Sequence, residues 1–236
     1  MSRGVVLLQA TQSTPDLGPL LASQHWRLRR AVHPEQIRDA LLQADCHVGI
    51  AVFDNALGCS PGDLADLVED SGMEWVAVRS PLVYGPGVRA NFLALMRAVA
   101  RGLPLPMGSI RNSRSMVSVY NLNDFIACAL DHSAAAGNRF FAADAEDVST
   151  PELVRAIARS LNCRARLLPI SENSLRAVGV ILGRRAAVQR LCSSLTVDRE
   201  KARVLLGWTA PVPLDISLRH TAEWFSSRGF VGSPHA

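Results

Sequence analysis

The sequence predicts an α/β protein: a parallel sheet with helices on both faces, followed by a small C-terminal lobe. Three observations predict it. Short apolar runs alternate with amphipathic runs through the first third of the chain. An arginine and a Pro/Gly-rich turn, RSPLVYGPG, close the last of those runs. After that turn, capped amphipathic segments alternate with short extended ones. Alternation of this kind is the pattern of repeated β-α-β units. The 236 residues are enough to bury a sizeable core. With 48% hydrophobic and 19% charged residues, the composition excludes disorder.

The elements follow in order. Val5 to Leu8 reads as a buried strand, Leu17 to Ala22 as a helix capped by Thr14 or Asp16, and Trp26 to Val32 as a second strand. Pro34 to Gln43 places Ile37, Leu41 and Leu42 at helical spacing, with the proline in the first turn. Val48 to Phe53 is a strand, Gly62 to Asp70 a helix, and Glu74 to Val78 a strand. Past the stiff Pro81–Gly87 turn, Asn91 to Arg101 is helical and Gly102 stops it. Ser115 to Tyr120 reads as a strand, Asn123 to Asp131 as a helix, and Arg139 to Ala142 as a strand. In STPELVRAIARSL, 149–161, Ser149 or Thr150 precedes Pro151 and Glu152, a capped helix start. A strand near Arg166 to Leu168 follows, then helices over Ser174–Leu182, Asp198–Leu206 and Leu214–Phe225. Gly229 to Ala236 reads as a loose tail. The predicted division is 1–90, a parallel α/β segment; 91–228, a ligand-binding part; and 229–236, the tail.

Charge and cysteines narrow the function. Basic residues exceed acidic ones by four, and one lysine, Lys201, stands among arginines. The arginines are scattered and tyrosines are two, so no nucleic-acid partner is expected. A planar guanidinium fork suits phosphate oxygens on a small molecule. The five cysteines form no CxxC pair, and no His pair has helical spacing, so no metal site is expected. The opening MSRGVVLLQATQ carries no long apolar segment with a cleavage site. A cytoplasmic protein without a membrane partner is the expectation.

The blocks GMEWVAVRSPLVYGPGVRANF (72–92), RGLPLPMGSIRNSRSMVSVYNLNDFIACAL (101–130), STPELVRAIARSL (149–161) and SLTVDREKARVLLGWTAP (194–211) keep a distinctive order and spacing. In them the chain resembles the NAD-dependent nucleotide-sugar epimerases and dehydratases of the extended short-chain dehydrogenase family. The resemblance implies a Rossmann sheet for NAD and a C-terminal lobe for a nucleotide sugar, a UDP-sugar above all. It implies a setting in surface polysaccharide synthesis, and a homodimer or an intact partner subunit. It matches Asn91 and Arg114 to positions that hold nucleotide phosphates, and sets Arg190 and Asp198 near a later arginine and aspartate that help bind the nucleotide. Each has a bland reading too. Arg114, following a flexible SIRNS segment, is otherwise a solvated surface arginine. Asn91 is otherwise a helix cap, Tyr84 a loop-packing residue, and Leu206 to Trp208 packing for the small lobe. The carboxylates Asp144, Glu146 and Asp147 read as capping groups.

Two features the resemblance calls for are missing. After the first strand stands QATQSTPDLGPL, with Gly18 alone beside Pro19, where a dinucleotide needs close backbone approach at several glycines. A Tyr-x-x-x-Lys pair, in which the lysine lowers the tyrosine's pKa for proton transfer, occurs nowhere. Its counted positions, on a helix ahead of the Arg79 strand, hold Phe53 and Leu57. NAD is therefore implied by resemblance only and not expected to bind, and stand-alone catalysis is not expected. The chain reads as a family member shortened and eroded at its N-terminus. The alternative is a regulatory or sensor protein whose first third is receiver-like, with Asp54 ending a strand. Receivers hold magnesium with acids after their first strand, and here that place reads Gln9-Ala10-Thr11.

Overall fold

The computed structural model describes residues 4–8, 27–31, 48–53 and 74–229, apart from 182 and 184. The helices expected at 17–22, 34–43 and 62–70, and the tail beyond 229, lie outside the described residues. The chain divides into two compact units interleaved in sequence: 1–83, 119–143 and 198–211 in the first, and 84–118, 144–197 and 212–236 in the second.

The first unit is built on parallel strands. These are β1 (Gly4–Leu8), β2 (Arg27–Ala31), β3 (Val48–Phe53) and β4 (Glu74–Arg79). β1 pairs with β2, starting at Gly4 opposite Arg27. β3 pairs with β4 from Val48 opposite Glu74 to Phe53 opposite Arg79. β1 lies alongside β3. Two crossovers thus start between β1 and β3, the reversal point at which doubly wound sheets take ligands. Expected and observed strands agree to within a residue or so: β1, β3 and β4 are short apolar runs of the kind parallel sheets use, and β2, RLRRA, is a short arginine-rich one. Phe53 is the last residue of β3, so the counted tyrosine position falls on a strand and not on a helix.

The chain returns to this unit in α2 (Val119–Asp131) and β7 (Asn138–Phe141), and β7 pairs with β4. The expected strand over Ser115–Tyr120 is shorter, since helix α2 begins at Val119. The reason is its period: Leu122, Phe125, Ile126, Ala129 and Leu130 are buried at spacings of three and four. Helix α6 (Glu200–Leu206) ends at Gly207 in the left-handed region, φ 62°. Trp208 then packs edge-on against Phe125 at 4.8 Å and donates its indole N–H to Asp124 at 2.8 Å. The packing role expected for this stretch holds, but in the first unit rather than in the small lobe.

The second unit is a three-helix pack. α1 (Ala90–Ala100), α3 (Thr150–Ser160) and α7 (Leu214–Ser227) enclose Phe92, Met96, Val99, Val154, Ile157, Leu218 and Phe225. β5 (Leu82–Tyr84), inside a stretch read as pure turn, pairs with β6 (Met116–Ser118). The strand expected at 166–168 is one parallel bridge, Leu105 to Leu167. It does not lengthen, because the Met107 N–H turns back onto Leu105 O and the Gly108 N–H takes Leu168 O instead. α4 (Glu172–Ile181) and α5 (Arg185–Cys192) form a hairpin, and the sequence reading missed α5. Among the described residues, no helix is long and apolar enough to cross a membrane.

Ser149 caps α3 with a complete capping box. Its hydroxyl accepts from the Glu152 N–H, and its own N–H donates to the Glu152 carboxylate at 2.8 Å. The Ser149 hydroxyl also donates to that carboxylate at 2.7 Å, and this bond first, then the one from the Ser149 N–H, holds the Glu152 carboxyl below its ordinary range. A depressed carboxyl pKa stabilises the fold above the unfolded value, near 4.3, and that contribution fades as pH falls through the folded value. Ser149→Ala should therefore cost about 1 kcal/mol near neutral pH, and less in acid, by urea unfolding across a pH series. A different constraint acts at Gly108. A Cβ there would stand 2.8 Å from the Leu168 carbonyl oxygen, in backbone that has no room to yield. Gly108→Ala should lower unfolding free energy by roughly 1–3 kcal/mol, read from the same denaturation curves.

Candidate functional site

The segment 108–115 belongs to the second unit and carries Arg114. The flexibility expected of it is corrected by the structure. The Gly108 N–H donates to Leu168 O at 2.9 Å, and the Arg111 N–H to Glu172 Oε1 at 3.1 Å. Ser113 N–H donates to Ser194 Oγ, and Ser113 O accepts from Leu195 N–H. Arg114 exchanges both backbone bonds with Val148, at 2.9 and 3.0 Å. Ser115 N–H donates to Leu195 O, while its hydroxyl donates to Asp147 at 2.6 Å and accepts from Val197 N–H. A backbone pinned at nearly every residue cannot swing as a loop. It presents one side chain in one place.

Asn112 is the centre of this pinning, and the sequence reading missed it. It is buried, and its Nδ2 donates to Thr150 Oγ1 at 2.9 Å and Leu191 O at 3.0 Å, with Ser193 O at 3.3 Å. Its Oδ1 accepts from the Thr150 N–H at 2.8 Å. One amide thereby joins the 108–115 segment to the start of α3 and to the end of α5. The polar run GSIRNSRS was the available signal, since eight residues without an apolar period need partners from elsewhere, Ile110 excepted.

Arg114 and Arg190 are brought together. The Arg114 Nη1 donates to the Arg190 carbonyl at 3.0 Å. One of five guanidinium donors is used in this way. The guanidinium is partly buried, and that burial pulls its pKa below the ordinary value. The Arg190 side chain lies exposed in the last turn of α5. Asn91 is exposed in the first turn of α1, but the cap position belongs to Arg89, which makes no side-chain cap bond. The capping reading of Asn91 is thus corrected. That first turn holds no acidic residue, which leaves the positive end of the helix dipole uncompensated there. Asp198 belongs to the first unit, where its carboxylate accepts the Glu200 N–H at 2.8 Å and shapes the start of α6.

Tyr84 is placed in the core. It is 1% exposed and stacks on Phe92 at 5.6 Å. Its hydroxyl donates to Asp144 Oδ2 at 2.7 Å, and Asp144 Oδ1 accepts the Ser118 N–H at 2.9 Å. Burial, then the neighbouring Asp144 charge, pushes the phenol far above its ordinary value. Asp144 and Asp147 are therefore acceptors for Tyr84, Ser118 and Ser115, and not the helix caps expected. Among the described residues, no group of His, Cys, Asp and Glu is placed to hold a metal ion.

The fold defines a Rossmann-like protein with a second unit that carries the pinned Arg114, and the comparisons give its family. No family model matches the chain. It is 43% identical over 163 residues to a UDP-glucose 4-epimerase of Vibrio cholerae, covering 69% of this chain and 50% of that protein. It is 26% identical over 159 residues to the N-acetyl-alpha-D-glucosaminyl-diphospho-ditrans,octacis-undecaprenol 4-epimerase of Escherichia coli O157:H7, covering 62% of this chain and 48% of that one. Solved structures share the fold. Bordetella bronchiseptica WbmF in complex with NAD+ and UDP has a TM-score of 0.64 at 14% identity, covering 98% of this chain and 94% of that one. The UDP-glucose 4-epimerase of Thermotoga maritima with UDP-glucose has 0.63 at 12%, covering 95% and 99%. The chain belongs to the NAD-dependent nucleotide-sugar epimerase and dehydratase family. It spans about half the length of the curated relatives it matches.

The geometry makes Asn112 a test of the whole arrangement. Asn112→Ala strands the Thr150 N–H and two carbonyls. It should cost about 2 kcal/mol or more, seen as a lower urea midpoint with an unchanged slope.

Proposed function

We propose that this chain binds the diphosphate of a nucleotide sugar, a UDP-sugar in the first instance, and does not interconvert sugars by itself. One observation carries the reading. Arg114 is fixed through a single N–H on the Arg190 carbonyl, on a partly exposed surface, with its other donors turned to no protein acceptor among the described residues. A guanidinium held in this way recognises phosphate oxygens through two parallel donors. The exposed Arg190 side chain adds a second charge, and Asn91 at the first turn of α1 adds the dipole of a helix start. The printed names of the relatives, which include UDP-glucose and a diphospho-linked sugar, support this ligand class.

Binding of NAD does not follow from the residues present. The stretch after β1 offers one glycine, followed by proline, so its composition does not fit a pyrophosphate cradle. For the same reason no hydride step is derived for this chain. Nor does a phenol replace the missing proton-transfer pair: Tyr84 is buried with its pKa raised, whereas proton abstraction needs a phenol whose pKa is lowered. A binding role, alone or beside an intact partner subunit, is the function that remains.

Calorimetric titration tests it. UDP and UDP-glucose should bind the purified chain, NAD should not, and Arg114→Ala should lose roughly 1–3 kcal/mol of UDP affinity. Equal affinity in wild type and variant would remove the site. Tight NAD binding together with sugar turnover would remove the binding-only reading.

A further inference from the structure

The α4–α5 hairpin has a second apolar surface that the core does not use, and we propose that it docks on an anionic lipid bilayer. Leu175 on α4 and Cys192 on α5 anchor the hairpin against Ile110, with Val188 and Leu191 packed around them. That accounts for one side of α4. On the rest, Val178, Val180 and Ile181 are 51%, 57% and 81% exposed. At about 100° per residue these three span an arc of roughly 160°, centred well away from Leu175. An arc that wide exceeds the roughly 100° stripe with which a surface helix packs on its own core. It ends at Gly183, whose φ of 65° reverses the chain toward α5. The aliphatic side chains therefore lie along the end of a hairpin.

Charge identifies the occupant. From Asn173 to Val197 the sequence has four arginines, Arg176, Arg184, Arg185 and Arg190, and no Asp or Glu. Arg176 reaches Glu172 at 3.8 Å, at the base of the hairpin, with Arg176 exposed and Glu172 partly buried. Such a pair is weak in water. Arg185 and Arg190 are exposed on α5. Aliphatic residues beside cations of one sign match an interface with hydrocarbon below and phosphate above, where arginine stems lie along the apolar layer and their heads stay in water. A bilayer supplies negative charge without matched geometry. A protein partner would need acidic groups placed one by one. Docking of this kind needs no spanning helix. It revises the expectation of no membrane partner, which rested on spanning segments alone, and it shares only Arg190 with the nucleotide-sugar reading.

Vesicle sedimentation of the full chain tests it. The protein should co-sediment with phosphatidylcholine vesicles that contain phosphatidylglycerol, more weakly with phosphatidylcholine alone, and less as salt rises. Each arginine near the surface contributes roughly fivefold, so Arg185→Glu should weaken binding by at least that factor. Ile181→Asp, at a position too exposed to affect folding, should weaken it about tenfold. Equal sedimentation of wild type and Ile181→Asp would overturn the proposal, as would indifference to phosphatidylglycerol. It would also fail if the wild type ignored vesicles and Ile181→Asp instead split a stable dimer, since a second copy would then cover the surface.

Discussion

The second unit depends on the side chain of Asn112. A buried amide must satisfy a carbonyl and two N–H groups, and here every one has a partner. Those partners come from distant parts of the sequence, the start of α3 and the end of α5. Each bond contributes only about 1 kcal/mol net, but an orphaned partner costs more than the bond contributed. The network thus specifies one arrangement more strongly than it stabilises it. Arg114 sits two residues further on, between Val148 on one side and Leu195 on the other. Its position is set by this backbone, and its guanidinium is then oriented by the Arg190 carbonyl.

Charge recognition and proton transfer make different demands on a protein. The first needs donors held in place, which backbone pinning supplies. The second needs a group whose pKa is shifted toward neutrality. Tyr84 and the described cysteines are shifted the other way. Tyr84 is raised and spends its hydroxyl on Asp144. Lys201, the one lysine, lies over the Phe140 ring at 5.3 Å in the first unit. The three cysteines described are also raised, by burial first. Nothing in this set resembles an activated base, whereas Arg114 keeps the features of an anion donor.

How much of this was legible in the sequence depended on range. Strands β1, β3 and β4 and helix α3 were read nearly to the residue from local signatures, short apolar runs and Ser149 three residues before Glu152, and β2 was read from its alternation. Helix α2 was read late, since its polar Asn121 and Asn123 hid a period that begins at Val119. The strand near 167 was overread, because its partner turns at Met107, whose N–H goes back to Leu105 O. Helix α5 was missed, as Gly183 hides its start. For the site, Arg114 and Arg190 are candidates through resemblance, and the bond between them was not foreseen. The polar network was invisible. Asn112 reaches partners about 40 and 80 residues away, and Asp144 serves Tyr84 from 60 away. No local pattern encodes such distances. Tyr84, read as a ligand contact or a loop-packing residue, lies in the core.

The central claim is that an anion site has been kept in a chain without the machinery for hydride and proton transfer. Amide hydrogen exchange with UDP or NAD added tests it most directly, because it reports where a ligand acts as well as whether it binds. The account predicts that UDP slows exchange across 111–115 and 190–197 and leaves 4–31 unchanged, and that NAD changes neither. Protection of 4–31 by NAD, or no protection of 111–115 by UDP, would contradict it.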